Sequence, residues 1–411
     1  MGKQKVTNKA IDAVRAVAAI IVVMEHVRAL GFQDWAQVAH TPLNAAFYFV
    51  TGLGSSAVMV FFVLSGFLVG GSVVTRTRSG TFSWGAYLLQ RVARLWVVLI
   101  PAIILALAIG WLLVAALPLT DVVQGDAAYH NVVKPDLAST LGPVTAAGNL
   151  FFLQGIVVPV IGMNGPLWSL AYEFWYYIFF PLLAVAFFRG RVWKRTLSGL
   201  LAALTAFFVG PHIMGLFVVW SFGVGVAVYA VPIAAALRRS RARARVARWV
   251  AGAVMIGSLL MRESGSLPDF VGQMVVGMAA AILLSAFVTD VSMVGWRMAP
   301  ARWLAAGAKS SYSLYVIHLP LAILCAALLM PWSTTRFVPD PLSVGGFLLV
   351  TALLVAAGWL FARATEAHTA AFRNALAYLI RAISPFGRQS SRTKQEGCDA
   401  AALLSARSGA D

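Results

Sequence analysis

Charge is scarce in this chain. Of 411 residues only 11% are Asp, Glu, Lys or Arg, against 60% hydrophobic. A water-soluble domain needs far more polar surface than that, so a soluble globular fold is excluded. Cysteine is scarcer still. The two present, Cys325 within an apolar run and Cys398 near the C-terminus, rule out a disulfide framework. Acidic residues number 15 against 32 basic ones, a net charge of +17. In a soluble protein that imbalance would suggest nucleic acid. On a membrane protein basic cytoplasmic loops account for it, and no nucleic-acid partner is expected. Short alternating strands, the mark of a membrane barrel, are missing too, whereas apolar runs of about twenty residues are plentiful, so the spanning elements are helices. No internal repeat is visible. No small-residue cleavage site follows the N-terminal apolar stretch, which carries Asp12, Arg15, Glu25 and His26 and reads as a retained first span.

What is there is an all-α, polytopic membrane protein of about ten spans. They fall at roughly 10–30, 54–75, 94–117, 166–188, 195–209, 212–233, 246–261, 270–289, 311–330 and 344–363. Segment 149–162 is apolar but too short to span, so it reads as interfacial or re-entrant. Loop charges test the count independently. With the N-terminus inside, the even-numbered connections carry Arg76, Arg78, Arg91, Arg94, Arg189, Arg191, Lys194, Arg195, the run 238–248, Arg297, Arg302 and Lys309. The opposite connections hold only Lys134, Arg262 and Arg336 among seven acidic residues. That asymmetry predicts both termini in the cytoplasm. The long outward connection 118–165 either caps a site or is a solvated loop. The basic run 238–248 sets topology or meets anionic phosphates. Residues 1–365 are expected to form the membrane domain. Residues 366–411 are expected to form a basic cytoplasmic tail, an amphipathic helix followed by disorder from Ser384.

Ionisable side chains inside a bilayer are costly and default to functional hypotheses. The first span, IDAVRAVAAIIVVMEHVRAL, holds Asp12, Arg15, Glu25, His26 and Arg28. On a helix Arg15 and His26 fall about 20° apart on one face, separated by about 16 Å along the axis. Asp12 stands one turn before Arg15 and is spaced to pair with it. A histidine snorkelling at a span end and an arginine anchoring at the cytoplasm are the plainer alternatives. In the fourth span Glu173 lies about two turns from the outer end, at a depth similar to His26. A carboxylate there requires a partner, and His26 or Arg28 has the chemistry. Trp168, Tyr172, Trp175, Tyr176 and Tyr177 around it either bind a sugar ring or form an interfacial aromatic belt. In the ninth span Ser311, Tyr315 and His318 share one face, either as a packed polar stripe or as ligand-binding groups.

These segments together resemble the acyltransferase-3 family of membrane O-acyltransferases. Its D-x-x-R-x-x-A…H first span is matched by IDAVRAVAAIIVVMEH, and its F-F-x-L-S-G-F-like second span by FFVLSGFL (61–68). Its R-x-x-R pair is matched by Arg91 and Arg94, its W-[ST]-L-x-x-E motif by WSLAYEFWY (168–176), and its late S-Y-[ST]-x-Y-x-x-H motif by SYSLYVIH (311–318). Five motifs in the right order over residues 11–318 are jointly specific. Glu25 maps to no family role.

The resemblance implies a ten-span protein of the bacterial inner membrane that moves an acyl group, usually acetyl, from acyl-CoA to a hydroxyl of a carbohydrate or similar acceptor. Membrane lipids, acyl-CoA and that acceptor are the expected partners, and no metal is expected. Such a transfer needs a base for the hydroxyl and donors for the developing oxyanion. His26 is the expected base, Glu173 its orienting carboxylate, and Arg15 a further catalytic group. Arg91 and Arg94, joined by Tyr315 and His318, are expected to hold acyl-CoA, since guanidinium groups suit its phosphates. Trp168, Tyr172 and Tyr176 are expected to bind the acceptor. Direct transfer and an acyl-histidine intermediate both stay open. A proton-coupled transporter or flippase is the alternative from another class, because intramembrane His, Glu and Arg also build proton relays.

Overall fold

The computed structural model describes residues 2–117, 136–188, 190–230, 241–288, 300–329 and 336–383, with the single positions 123, 129 and 132. Apolar stretches coil into helices because a bilayer offers no partner for backbone groups. Among the described residues eight helices, or runs of consecutive helices, are long and apolar enough to cross a membrane, and each overlaps an expected span. The other two expected spans are helices as well: α1 (Gly2–Gly31) and the arginine-rich Arg241–Glu263. Their charges keep both below the apolarity of the eight, so the count of ten is not established by composition. Cys398, Arg189, Arg297, Lys134 and the tail from Ser384 lie outside the described residues.

The remaining helices around α1 are α2 (Pro42–Thr51), α3 (Gly54–Ser65), α4 (Gly71–Ser79) and α5 (Trp84–Ala116). There follow α6 (Pro143–Leu150), α7 (Leu167–Phe188), α8 (Val192–Val209), α9 (Pro211–Gly225), α10 (Arg241–Glu263) and α11 (Asp269–Val288). The chain ends with α12 (Pro300–Leu329), α13 (Pro341–Ala364) and α14 (Thr369–Ile383). Helix α1 is central because its apolar residues divide between two faces. Ala18 and Val22 join a core with Met59, Phe62, Leu99 and Tyr176. Ala19, Val23 and Val27 join another with Leu314, Leu319 and Ala322. Small residues let helices approach closely where lipid supplies no hydrophobic drive, and the longest seam in the fold runs between α1 and α12.

Glycine makes a second close approach possible. Gly66 opens a π-helical turn, Gly66–Gly70, between α3 and α4. A Cβ on Gly66 would run into the Trp220 carbonyl, and one on Gly223 into the Val63 carbonyl, so α3 and α9 meet backbone to backbone. A second π-helical turn, Val226–Ala230, packs on the first. Such turns concentrate at functional sites.

Segment 143–166 is not a span. It is the short helix α6 followed by turns pinned by buried amides. Asn149 donates to Thr145 O and Pro159 O and accepts from Ile161 N, while Gln154 donates to Leu167 O. Asn164 Nδ2 donates to Val316 O at 2.7 Å. The reason lies in α12: Pro320 has no N–H, so the carbonyl four residues earlier, Val316, loses its helical partner and takes Asn164 instead. At the same end of the helices, Arg336 donates to Asp34 (2.7 Å) and Ala29 O, and Phe337 pairs with the Gly31–Gln33 backbone.

Candidate active site

A cavity of about 290 Å³ opens between α1, α3, α5, α7 and α12. It gathers Arg15 from α1, Arg91 and Arg94 from α5, Glu173 from α7, and Ser311, Tyr312 and Tyr315 from α12. Spacing i, i+3 puts both α5 arginines on one side. Arg91 lies 5.9 Å from the ring centres of Tyr87 and Tyr177, and its Nε is buried without a hydrogen-bond partner. None of the three arginines forms an ion pair with a described residue. Asp12 is within electrostatic reach of Arg15, but the expected pair does not form. Glu366, just beyond α13, accepts from Ser313 Oγ at 3.0 Å and is also within electrostatic reach of Arg15 and Arg94.

Glu173 is held from behind. Trp220 Nε1 donates to Ser65 Oγ (3.1 Å), Ser65 hydrogen-bonds Tyr177 (3.2 Å), and Tyr177 donates a short bond to Glu173 Oε1. The chain runs through Ser65, the residue before the π-helical turn. Its donors all point toward the carboxylate.

The expected imidazole–carboxylate bond between His26 and Glu173 is not formed. Glu173 stands in the arginine-lined cavity, whereas His26 faces His318 of α12, with ring centres 5.0 Å apart at 66°. The depth estimate placed both at one level, but α7 turns its carboxylate toward Arg15 and Arg91. Accordingly His318 sits with the histidine rather than with the arginines. Its Nδ1 lies 2.8 Å from Tyr315 O, so that nitrogen carries the proton and Nε2 is an acceptor. His26 Nδ1 lies 2.8 Å from Val22 O and 3.4 Å from His318 Nε2, so it too carries the proton. His26 Nε2 is left with a lone pair.

Tyr315 stands between the two groups. Its hydroxyl is 2.7 Å from Ser169 Oγ and 3.0 Å from Pro166 O, and its ring is 5.9 Å from that of His318 and 6.0 Å from that of Phe61. Among the aromatics expected to bind an acceptor, Tyr176 is fully buried with its hydroxyl donated to Ile213 O, which leaves no face for a ligand. Tyr172 is buried, and Trp168 packs on Tyr172 and Phe62. The sequence reading missed Ser65 and the partnership of His318 with His26, and it placed Tyr177 near Glu173 only as one aromatic of several. The S-G within FFVLSGFL was the available signal for Ser65. Among the described residues no group of three His, Cys, Asp or Glu could hold a metal ion.

Comparison with protein families matches residues 8–363 to one described as an acyltransferase domain, the acyltransferase-3 family. No curated protein and no solved structure matches the chain.

Proposed function

Because the chain belongs to the acyltransferase-3 family over residues 8–363, we propose that this membrane acyltransferase moves an acetyl group from cytoplasmic acetyl-CoA to a hydroxyl acceptor on the opposite side. The observation that carries the reading is the convergence on one cavity of Arg15, Arg91 and Arg94, none of them ion-paired with a described residue. Guanidinium groups hold phosphates bidentately. A cavity of about 290 Å³ lies at the small end for ligand sites, which suits an acyl-pantetheine arm with the nucleotide left at the cytoplasmic mouth.

In this mechanism His26 Nε2 takes the proton of the acceptor hydroxyl as the oxygen attacks the thioester carbonyl. The tetrahedral intermediate collapses, the C–S bond breaks, and the departing CoA thiolate receives the proton from the imidazolium. The new ester leaves with the acceptor. His318 acts as a positioning residue: its Nε2 and Val22 O share the His26 Nδ1–H, which holds Nε2 as the base and supports the imidazolium. Glu173 belongs to the donor side, as the fixed counter-charge that orients the arginines. With basic loops inside, both termini are cytoplasmic and the outer ends of α1 and α12 face the acceptor.

The test uses full-length protein in proteoliposomes with radiolabelled acetyl-CoA on the cytoplasmic side. His26→Ala abolishes transfer with thermal unfolding unchanged, and a fully active variant refutes the base assignment. Arg91→Ala and Arg94→Ala each weaken acetyl-CoA binding, and unchanged affinity in both removes them from that role. Mass spectrometry of surface glycans from a deletion strain identifies the acceptor by loss of one acyl mass.

A further inference from the structure

Helix α14 plays no part in the mechanism above, and it lies beyond the residues matched to the family. Its sequence, TAAFRNALAYLIRAI, carries two arginines and no acid. At about 100° per residue, Phe372, Leu376, Leu379 and Ile380 fall within an arc of about 100°, with Arg373 at its edge and Asn374 and Arg381 opposite. Protein covers only part of that arc. Phe372 and Leu376 are half-buried where the helix packs on α5 and the core, whereas Leu379 and Ile380 are 54% and 53% exposed.

The level of α14 is set by α13. That span ends at Ala364, and the single turn Glu366–His368 leads into α14 at Thr369. Three residues of 3-10 helix rise about 6 Å, so α14 starts at the level of the lipid headgroups. The end of α13 carries the marks of an interface: half-exposed Trp359 lies under the Arg363 guanidinium at 4.9 Å. Arg373 and Arg381 are exposed, and neither forms an ion pair with a described residue. Glu366, the nearest acid along the chain, is engaged by Ser313 Oγ at 3.0 Å.

We propose that α14 lies on the bilayer surface, with Leu379 and Ile380 in the lipid and Arg373 and Arg381 at the phosphates of anionic phospholipids. This surface is independent of the acyl-transfer reading. Area selects lipid over protein. Two exposed aliphatic side chains offer far less than the ~800 Å² that each partner buries in a stable dimer. An interfacial helix needs only a bare apolar strip beside its cations. Charge selects the lipid, because α14 has no acid to oppose the attraction of its arginines to a negative leaflet.

The test uses full-length protein in nanodiscs, with Cys325 and Cys398 replaced by Ser and bimane attached at Leu379→Cys or Asn374→Cys. Nitroxide-acyl lipid quenches the Leu379 probe more, and aqueous iodide the Asn374 probe. Equal iodide quenching of both means a helix bare in water. Quenching of the Leu379 probe by neither agent means a face covered by protein, whether a second copy or this chain. Either result overturns the surface. With equal phosphatidylglycerol and phosphatidylcholine in the disc, nitroxide phosphatidylglycerol quenches the Leu379 probe roughly twofold more than nitroxide phosphatidylcholine. Arg373→Gln combined with Arg381→Gln removes that preference with Tm unchanged. High salt removes it too, by screening charge without altering the chain. Equal quenching by the two lipids before either change, or a preference that survives both, overturns the choice of anionic lipid.

Discussion

His26 acts through what surrounds it, and the residue scale is where that is tested. In the proposed mechanism His318 touches no substrate, so its loss lowers kcat and spares the donor KM. We expect His318→Ala to reduce kcat by about 10–100-fold, below the full contribution of a general base. A rise in acetyl-CoA KM with kcat unchanged would return His318 to the donor site. His26 and His318 are 292 residues apart in sequence. Each stood out from the sequence as a polar group in an apolar span, but nothing along the chain announced that they meet. Glu173 was equally conspicuous and was given the wrong neighbour, because depth along a helix says nothing about which way a side chain turns. The Ser65–Tyr177–Glu173 chain predicts that Ser65→Ala weakens donor binding by loosening the carboxylate, read as a higher acetyl-CoA KM.

At the scale of the element, Pro320 and Asn164 make a coupled prediction. Asn164→Ala leaves the Val316 carbonyl buried and unpaired, a loss of about 1–3 kcal/mol. Pro320→Ala restores a helical N–H for the same carbonyl, so the double variant is less destabilised than the sum of the single changes. Strict additivity in thermal unfolding would falsify this account. Gly66→Ala forces the α3–α9 contact apart and costs about 1–3 kcal/mol, read as a lower Tm. Helix α13 begins with Asp340, whose carboxyl accepts from Ser343 N and Leu342 N. The Ser343 bond holds its pKa below the usual aspartate range. A depressed folded pKa means that this cap contributes fully above the ordinary value of about 4 and is lost as pH falls through the folded one. Asp340→Asn removes that acid dependence, measured as a flatter Tm profile below about pH 5. Helix positions were legible from hydropathy, whereas the π-helical turns were not, since one inserted residue leaves the apolar composition unchanged.

For the whole molecule, two loops distant in sequence are joined by Arg336, whose side chain is 6% exposed against 49% for Asp34. Arg336→Ala strands a half-buried carboxylate and frees the Ala29 carbonyl, so it costs more than a surface ion pair, about 1–3 kcal/mol in thermal unfolding. Orientation is tested in a background lacking Cys325 and Cys398. In intact cells an impermeant maleimide labels Ser266→Cys and leaves Arg245→Cys unlabelled, and the opposite pattern inverts the topology.

By itself the sequence determined the membrane class, the helical nature of the spans and, through five ordered motifs, the family. Those properties are written locally, since hydropathy and backbone satisfaction depend on neighbours along the chain. Only the tertiary structure decided that the arginines share a cavity with Glu173, that His26 is partnered by His318, and that α14 keeps Leu379 and Ile380 clear of the protein. Those outcomes depend on how each helix is rotated about its axis, and rotation is set by packing against neighbours, small residues and freed carbonyls. In a span that is apolar nearly all round, the sequence pattern leaves that rotation open.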